Sequence, residues 1–388
     1  MAIFDPTIDS SDTIRATWAE VNLGALRCNF RLIKEKINNA RPVGIMLMVK
    51  ANAYGHGLVE VARTLSDLAD CIGVAVLEEG ILLRREGIKK PIVVMGGVWG
   101  DQIPHFIKHD LILSASSMDR LFQIDDAARA MGRRAKVHLK IDTGMERVGI
   151  HYFNAHKLQE AVLKCANVDA LGIYSHFANA DAEDLTHAKL QLERFQEVLA
   201  FYEKNSIQRP IAHMANSAAM LRLPESHFDL VRPGLLLYGV YPSPFVPGDI
   251  DVSPAMTWKS RVVYFKVVPP GHPVSYGSTW ESDHPARMVT VPVGYGDGYF
   301  RSMSNISQVI INNRKYPQVG TICMDQLMVN IEWDSAYNGD EVILLGSSES
   351  ERITVEDMAA WANTVPYEVF TAINARVPRV YSGLTYCS

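Results

Sequence analysis

The sequence predicts an α/β protein: a (β/α)8 barrel of the TIM type followed by a mostly β C-terminal domain. Three observations predict this fold. Short apolar runs alternate eight times with longer helical patterns over roughly the first 250 residues. The stretch YPSPFVPGDIDVSP at 241–254 is rich in Pro and Gly, and β-favouring runs separated by turns follow it. A chain of 388 residues is long enough for a full barrel and a second domain.

Each predicted barrel strand is a short apolar run bounded by polar or turn-forming residues. These runs are 43–49, 71–76, 92–95, 111–113, 136–141, 168–174, 210–214 and 228–231. Helical patterns precede the first run and lie between the others, at 22–38, 58–68, 77–86, 117–131, 155–165 and 184–204. The third and seventh connections have the weakest helical pattern. Eight strand-then-helix units favour a barrel over a doubly wound sheet.

The C-terminal part is predicted to be mostly β. Its β-favouring runs are TWKSRVVYFKVV, RMVTVPVGYGDG, SQVIINNRKY, QLMVNIEW and DEVILLG. Only ITVEDMAAWANT (353–364) has a helical pattern, with Thr354 as N-cap and Asp357 in the capping-box position. The predicted domains are an N-terminal strand segment that joins the β domain, the barrel, and the β domain itself: 1–21, 22–249 and 250–388.

Composition excludes several classes of protein. The chain is 48% hydrophobic and 21% charged, as in globular enzymes, and its net charge of −5 gives no electrostatic reason to expect nucleic acid or an anionic membrane. The five cysteines are widely spaced without a CxxC pair, which argues against a disulfide framework or a metal site. No signal-peptide pattern and no apolar stretch of spanning length is visible. We therefore expect a cytoplasmic protein.

Polar residues follow five of the predicted barrel strands, at the edge where barrel enzymes carry out their chemistry. They are Lys50, the segment Lys140–Arg147, His176, Asn216 with Ser217, and Arg232 with Gly234. Each residue alone has an ordinary structural interpretation, such as a surface arginine or a capping serine. Together they predict an active site at this end of the barrel.

Lys50 is the most informative of these residues. The run 43–49 is apolar at every position, so the amine that follows it lies at the rim of a hydrophobic layer. Desolvation there lowers the pKa of a lysine and makes it a candidate base or Schiff-base former. The alternative is a lysine that starts a solvated loop. Tyr54, Gly55 and Gly57 favour the first interpretation, because they suit backbone approach to an anionic ligand.

A phosphate site is predicted opposite Lys50. TIM barrels often bind phosphate in the loops after strands seven and eight, where Ser217 offers a hydroxyl and Gly234 a backbone N–H. A phosphate site and a strand-end lysine together indicate pyridoxal 5'-phosphate bound to Lys50.

The chain resembles the alanine racemases, barrel-type (fold-type III) pyridoxal-phosphate enzymes, over close to its full length. Eight motifs in order carry the resemblance: VKANAYGHG (49–57), LKIDTGMERVG (139–149), YSHFANAD (174–181), ANSAA (215–219), VRPGLLLYG (231–239), VSYGSTW (274–280), PVGYGDGYFR (292–301) and ICMDQ (322–326). It implies racemisation of L- and D-alanine, supplying D-alanine for peptidoglycan, by a homodimer with shared active sites.

The resemblance implies two catalytic bases, one on each face of the substrate. Lys50 is one base, and Tyr276 of the partner subunit is the other. A free tyrosine has a pKa near 10, and lowering it by about two units requires roughly 2.7 kcal/mol. His176 and Arg232 are the candidates for this stabilisation, as a hydrogen-bonded chain that ends in a fixed positive charge.

The resemblance also assigns the cofactor contacts. The hydroxyls of Tyr54 and Ser217 and the backbone N–H groups of Gly234 and Leu235 bind the phosphate, and Arg232 faces the pyridine nitrogen. Because an arginine stays protonated, that nitrogen stays unprotonated and the ring is a weaker electron sink. The full implied set is Lys50, Tyr54, Arg147, His176, Asn216, Ser217, Arg232, Gly234 and Leu235.

Arg147 and the Met324 backbone N–H of the partner subunit are implied to bind the substrate carboxylate. Lys140 matches a lysine that can be carbamylated in the family and then orients this arginine. The alternative is an ion pair of Lys140 with Asp142 or Glu146. Three further residues match the family's substrate entrance, although a solvated surface role is open for each: Asp181, Tyr295 and Arg301.

One position departs from the family. Many relatives have a tyrosine just before the RVPR motif, and this chain has Ala375. The smaller side chain frees space, so a broader alanine and serine racemase is one alternative function. A non-catalytic pyridoxal-phosphate carrier is another, but carriers resemble the barrel alone. A barrel-type decarboxylase would require a glycine-rich phosphate loop that this sequence lacks.

Overall fold

The computed structural model describes residues 14–38 and 42–383, and the chain divides into two compact units. The barrel unit consists of residues 26–53 and 58–253. The β unit consists of the residues up to 25, residues 54–57 and the residues from 254 onward. The segment predicted as an N-terminal strand contains β1 (Trp18–Asn22), and its first thirteen residues lie outside the described ones.

Eight parallel strands of the barrel unit form a ring, as predicted. They are β2 (Gly44–Met48), β3 (Cys71–Val74), β4 (Ile92–Val94), β5 (Leu113–Ala115), β6 (Ala135–Asp142), β8 (Val168–Tyr174), β9 (Ile211–His213) and β10 (Leu230–Val231), with the short β7 (Ile150–His151) beside β6. Each of the eight ring strands except β4 pairs with the next one along the chain, and β10 pairs with β2. A bridge between Val93 and Ile112 joins β4 to the segment that leads into β5 and so closes the ring.

The strand predicted at 111–113 lies later in the chain than expected. In the structure β5 begins at Leu113 and continues through the polar Ser114. That side chain is buried and donates a hydrogen bond of 2.8 Å to the Val94 carbonyl. An apolar run alone therefore misplaces this strand.

The helices of this part of the chain follow the predicted alternation. They are α1 (Leu23–Ile37), the turn α2 (Lys50–Tyr54), α3 (Leu58–Leu65), α4 (Leu77–Arg85), α5 (Ile103–Lys108), α6 (Met118–Ala130), α7 (Ala155–Val162), α8 (Thr186–Lys204) and α9 (Ser217–Arg222). The two weakest predicted connections contain α5 and α9, which have six residues each. Fewer than two turns give little helical periodicity to detect.

The β unit is built on one sheet. Its strands are β1, β11 (Met256–Arg261), β12 (Tyr264–Val268), β13 (Ala286–Val291), β14 (Gln308–Ile311), β15 (Arg314–Val319), β16 (Leu327–Asn330), β17 (Glu341–Ser347), β18 (Arg352–Ile353) and β19 (Arg379–Ser382). Their order is β12-β13-β16-β15-β14-β17-β11-β1-β19, with β18 on β17. All neighbours are antiparallel except β1 and β19.

Two helices accompany this sheet, although the sequence predicted only one. In α10 (Val355–Ala362) the predicted capping box is present: Thr354 Oγ1 accepts from the Asp357 N–H at 3.1 Å, and Asp357 Oδ2 accepts from the Thr354 N–H at 2.8 Å. The expectation of a single helix was wrong, because α11 (Pro366–Ala372) follows. Its proline at the first turn suits a helix start, but its Val, Tyr, Phe and Thr residues favour strands.

Short 3-10 helices complete the structure: Gly100–Gln102, Tyr152–Asn154, Pro224–Ser226, Leu235–Tyr238, Tyr276–Ser278, Tyr295–Asp297 and Arg301–Met303. In the described part of the chain, no helix is long and apolar enough to cross a membrane. Residues 14–38 and 42–383 contain no group of His, Cys, Asp or Glu side chains that could hold a metal ion. Cys71, Cys165 and Cys323 are free thiols, whereas Cys28 is disulfide-bonded, which the sequence did not predict.

Candidate active site

The segment after β2 forms a left-handed turn. Ala51, Asn52, Ala53 and Tyr54 have φ angles of 52°, 56°, 53° and 53°, the region that residues with a Cβ rarely adopt. This conformation costs roughly 1–2 kcal/mol per residue. Such strain persists only where the surroundings enforce it, and it is concentrated at functional sites. The turn holds Lys50 at its first position.

Two side chains hold this turn in place. Glu79 Oε1 accepts from the Ala51 N–H at 2.6 Å, and Asn52 Oδ1 accepts from the Leu58 N–H at 2.8 Å. Glu79 stands at the start of α4 and also accepts from the Ala75 N–H at 2.9 Å. Sequence reasoning missed Glu79, because the Ala51 N–H that it binds lies far from it along the chain.

The environment of the Lys50 amine lowers its pKa. Burial is the largest cause, and the positive charges of Arg147 and Arg232 add to it, while Glu79 opposes them. The neutral amine, which is the form that attacks a carbonyl or accepts a proton, is therefore more available than in a free lysine.

The glycines after Tyr54 pack closely within the β unit, and the expectation that they suit backbone approach to an anionic ligand stays a prediction. Gly55 and Gly57 have φ angles of +80° and +104°. A Cβ on Gly55 would lie 2.2 Å from the Phe370 carbonyl oxygen, and one on Gly57 would lie 1.9 Å from the Tyr381 hydroxyl. Tyr54 itself is buried.

The loops after β9 and β10 form a set of buried donors in the barrel unit. Ser217 Oγ accepts from the N–H groups of Gly234 at 2.8 Å and Leu236 at 3.4 Å. Within the described residues the Leu235 N–H has no acceptor. Asn216 uses its side-chain oxygen to cap α9, at 3.0 Å from the third N–H of that helix. The hydroxyl and N–H groups suit an anion with several oxygen atoms.

Arg232 is buried and fixed by four acceptors. Its Nη1 donates to His213 Nδ1 at 2.8 Å. Its Nη2 lies 3.0 Å from His176 Nδ1 and 2.9 Å from the carbonyl oxygens of Ser175 and Met214. Burial, and then the Arg232 charge, hold the pKa of His176 well below its usual value. A neutral His176 that accepts at Nδ1 carries its proton on Nε2, where it can donate.

Behind Arg232 lies a buried polar layer that the sequence analysis missed. His138 Nδ1 lies 2.9 Å from His213 Nε2, and the Tyr174 hydroxyl lies 2.7 Å from Ser114 Oγ. The His213 and Tyr174 rings stack with centroids 4.9 Å apart. The sequence signal was available, since each of these polar residues interrupts an apolar strand pattern.

Lys140 and Asp142 do not form the ion pair that was one alternative. The Asp142 carboxylate instead accepts from the backbone N–H groups of Gly144 at 2.8 Å, Met145 at 2.9 Å and Arg147 at 3.1 Å. Among the described residues no carboxylate pairs with Lys140. Burial, and then the Arg232 charge, lower its pKa to about 7.

Asp181 lies on a loop whose backbone is held by Arg222, a residue that the sequence analysis did not single out. Arg222, at the end of α9, donates to the carbonyl oxygens of Ala180 and Ala182, and to that of Glu183 at 3.1 Å. Thus α9 has the anion donors at one end and supports the Asp181 loop at the other.

The β unit holds a second group of predicted site residues with exposed side chains. Tyr276 is 71% exposed, Met324 is 52% exposed and Tyr295 is 42% exposed. The backbone around Tyr276 has an unusual conformation, since Ser275 and Ser278 have positive φ angles of 69° and 51°.

Hydrogen bonds join the loops that carry these residues. Thr321 Oγ1 donates to the Tyr276 carbonyl at 2.7 Å, and the Tyr295 N–H donates to the Cys323 carbonyl at 3.1 Å. The segment of Arg301 joins them, because Ser304 Oγ accepts from the Ile322 N–H at 3.0 Å. We refer to Tyr276, Tyr295, Arg301 and Met324 as the β-unit cluster.

Met324 leaves one backbone group available in this cluster. Its carbonyl accepts from the Gly296 N–H at 2.8 Å. Across residues 14–38 and 42–383, the Met324 N–H meets no acceptor. It can therefore donate to a ligand.

Comparison with known proteins identifies the relatives of this chain. Residues 21–242 match the family model for the alanine racemase N-terminal domain, and residues 255–381 match that for the C-terminal domain. The alanine racemase of Carboxydothermus hydrogenoformans is 44% identical over 371 residues, which cover 95% of this chain and all of the relative. That of Halothermothrix orenii is 40% identical over 371 residues, covering 95% and 97%.

Solved structures of alanine racemases have the same fold as this chain. The alanine racemase from the D-cycloserine producer Streptomyces lavendulae superposes with a TM-score of 0.91 at 39% identity, covering 96% of this chain and 98% of the other. The alanine racemase of Bacillus anthracis with bound L-Ala-P gives a TM-score of 0.88 at 33% identity, covering 95% of each chain.

Proposed function

The chain belongs to the alanine racemase family of isomerases, and on that premise we propose that it interconverts L- and D-alanine with pyridoxal 5'-phosphate and two catalytic bases. One observation carries the proposal. The strand-end amine of Lys50 is half-buried near the charges of Arg147 and Arg232, at the end of the barrel where β9 and β10 present their anion donors. An anionic carbonyl cofactor is the ligand that this set of groups fits.

Different residues of the barrel unit would bind different parts of the cofactor. Lys50 would bind its carbonyl carbon, Ser217 with Leu235 and Gly234 would bind its phosphate, and Arg232 would face its ring nitrogen. Asn216 supports the phosphate site by capping α9. Tyr54 contributes a hydroxyl to the same phosphate, as the family resemblance implies. When bound, the cofactor withdraws electrons from the substrate and so acidifies its α-hydrogen.

Lys50 and Tyr276 move the proton. The Lys50 amine removes or returns the α-proton on one face of the substrate, and its lowered pKa supplies the neutral base. The Tyr276 hydroxyl of the partner subunit serves the other face. Its high exposure on a fixed backbone supports this role, because a core tyrosine would be buried. His176 can donate from Nε2 to stabilise the negative charge on that oxygen, with Arg232 behind it.

The substrate carboxylate is bound by Arg147 and by the Met324 N–H of the partner subunit. Arg147 is exposed, and Asp142 fixes its backbone. Lys140 is the candidate for carbamylation: CO2 adds to the neutral amine, an N–C bond forms and a proton is released. The lowered pKa of Lys140, about 7, favours this reaction, and the resulting anion would orient Arg147. Asp181, Tyr295 and Arg301 line the entrance.

A homodimer with shared active sites follows from this assignment. The exposure of the β-unit cluster supports it, as does β12, an edge strand with Tyr264, Phe265 and Val267 at 54%, 40% and 53% exposure. An apolar edge strand of this kind invites pairing with another chain. We place the dimer in the cytoplasm, where its D-alanine would supply peptidoglycan synthesis.

The test is to incubate the protein and cofactor with L-alanine or D-alanine in deuterated water. We expect interconversion of the enantiomers with deuterium at the α-carbon. Cofactor binding without any deuterium exchange would instead identify a carrier.

One observation favours a second, broader substrate range. Ala375 is exposed and its side chain ends at Cβ, so the space taken by a tyrosine in many relatives is free. The same assay with L-serine tests this. A pocket discriminates one hydroxyl or methylene by only about 1–3 kcal/mol, so slow serine racemisation would fit.

A further inference from the structure

Three buried side chains form a hydrogen-bonded chain that begins at Arg232 and leads away from the proposed cofactor. Arg232 Nη1 lies 2.8 Å from His213 Nδ1, and His213 Nε2 lies 2.9 Å from His138 Nδ1. The three residues are 3%, 0% and 3% exposed. In this chain His138 is joined to Arg232 through the His213 ring.

The direction of each hydrogen bond in this chain follows from the guanidinium. Arginine has only donors, so His213 Nδ1 must accept and carries no hydrogen. Burial, and then the Arg232 charge, keep His213 neutral by lowering its pKa. A neutral imidazole has one N–H, which must then be on Nε2 and point at His138 Nδ1. His138 accepts that hydrogen and carries its own on Nε2.

We propose that His138 is a positioning residue that fixes His213 as the Nε2–H tautomer, so that His213 can hold the Arg232 guanidinium against the cofactor ring nitrogen. The inference rests on the proposed function, since that function places a ring nitrogen in front of Arg232. The tautomers themselves follow from the protein alone.

The fold directs His138 into this place. The pairing of β6 with β8 shifts register between Val137 and His138, and such bulges re-aim side chains next to active sites. His138 stands opposite Gly172, where an added Cβ would lie 2.6 Å from three atoms of the imidazole ring. Gly172 therefore leaves the room that the ring occupies.

Removal of the His138 acceptor gives His213 two unfavourable choices. It can keep the Nε2–H tautomer with a buried donor that has lost its acceptor, or it can move the hydrogen to Nδ1 and face the Arg232 donor with another donor. Either choice displaces the guanidinium or weakens its support. An unsatisfied buried donor of this kind corresponds to a loss of roughly tenfold.

The experiment has a readout that is independent of catalysis. Two-dimensional 1H–15N correlation spectra of the histidine rings, recorded on the wild-type protein between about pH 8 and pH 6, report which nitrogen carries the hydrogen. We expect the Nε2–H tautomer for His213 and His138 throughout. A His213 hydrogen on Nδ1, or on both nitrogens, would overturn the proposal.

Variants then connect the tautomer to turnover. We expect His138→Phe to lose the uniform His213 tautomer and to lower kcat roughly tenfold with little change in KM for alanine. His138→Asn keeps an acceptor oxygen and should stay within about threefold of wild type. Gly172→Ala should reproduce the loss by displacing the ring, which keeps the test valid if His138→Phe does not fold. A His138→Phe protein with unchanged kcat would refute the role.

A matched control separates positioning from stability. Gln159 is buried and donates a hydrogen bond of 3.0 Å to the Val198 carbonyl on α8, outside the barrel ring. Gln159→Met should lower the melting temperature without changing kcat or the His213 spectrum. If the wild-type protein exchanges no α-hydrogen while the predicted tautomers are found, the proposed function fails and the hydrogen-bond chain stands.

Discussion

The two units of this protein prepare their predicted site residues in opposite ways. In the barrel unit Ser217 and Arg232 are 2% and 3% exposed, and protein groups already bind them. In the β unit Tyr276 and Met324 are 71% and 52% exposed, and only their backbones are fixed. The site residues of the barrel unit are buried and hydrogen-bonded to protein groups, whereas those of the β unit have side chains exposed to solvent.

This difference shows what each unit can contribute to the reaction. Buried, hydrogen-bonded charges need no reorganisation when a ligand arrives, so the barrel unit is suited to the cofactor-binding role that we propose for it. An exposed tyrosine and an unused backbone N–H gain catalytic value only when another surface excludes water from them. We interpret the β-unit cluster as the half of a site that a second subunit completes.

Replacement of Lys50 is expected to have the largest effect and tests the barrel half. If Lys50 holds the cofactor and serves as one base, as proposed, Lys50→Ala removes both functions, so racemisation should fall by about 10⁴-fold or more. The measurement is α-deuterium incorporation from deuterated water for each enantiomer. Lys136→Ala, on the same barrel but 42% exposed in an ion pair with Asp110, is the matched control. A Lys50→Ala protein that retained covalent cofactor would contradict the assignment.

Replacement of Tyr276 tests the β-unit half. Tyr276→Phe should lower racemisation by about 10²–10⁴-fold, because one general acid-base group is lost. Exchange of the α-hydrogen on the Lys50 face should survive for one enantiomer. Tyr337→Phe, at 70% exposure, is the control for a surface tyrosine. Equal loss of exchange for both enantiomers would argue against a separate base on each face.

Mixing the two inactive variants tests whether the halves come from different subunits. If sites are shared, a heterodimer of Lys50→Ala and Tyr276→Phe chains has one intact site. Random reassociation should then restore about one quarter of the wild-type activity. No recovery after verified subunit exchange would mean that each chain completes its own site.

The sequence predicted the barrel half better than the β half, for physical reasons. Parallel barrel strands are largely apolar, so most of their ends can be located from the sequence, and Lys50, His176 and Arg232 were predicted at those ends. Tyr276 interrupts no pattern and would have been taken for a core aromatic without the family resemblance. Its 71% exposure emerges only from the fold.

Two features of the site could not be predicted by local patterns. The left-handed turn from Ala51 to Tyr54 contradicts the intrinsic preference of each of its residues. It depends on the Glu79 carboxylate, which stands far along the chain. The contact between His138 and His213 depends on a register shift between strands, and no single-residue propensity encodes such a shift.

A smaller effect is expected at Ala375, which tests the specificity of the β unit. Ala375→Tyr should raise the preference for alanine over serine roughly tenfold, since the larger side chain fills space that serine would use. The measurement is the ratio of kcat/KM for the two amino acids. Ala375→Ser is the control for a change without added bulk. An unchanged ratio would show that this position does not face the substrate side chain.

The smallest effect is expected on the stability of the barrel unit and depends on pH through Lys140. Its pKa is lowered in the folded protein from 10.5 to about 7, mainly by burial. Between those values the unfolded chain binds more protons, so wild-type stability rises with pH across this window, and the penalty for a buried charge is greatest below pH 7. Lys140→Met should therefore raise the melting temperature more at pH 6 than at pH 9.5, at roughly 2–4 °C per kcal/mol.

Adding bicarbonate tests whether Lys140 is carbamylated. In CO2-free buffer the advantage of Lys140→Met over wild type should shrink as pH rises, because the wild-type amine becomes neutral. Bicarbonate at pH 8 should stabilise the wild-type protein and leave the variant unchanged if Lys140 is carbamylated. Lys136→Met, on the same strand but exposed, should show neither effect. If Lys140→Met and wild type differ in melting temperature by the same amount at both pH values, the Lys140 amine is solvated. The barrel half would then no longer contrast with the exposed β-unit cluster.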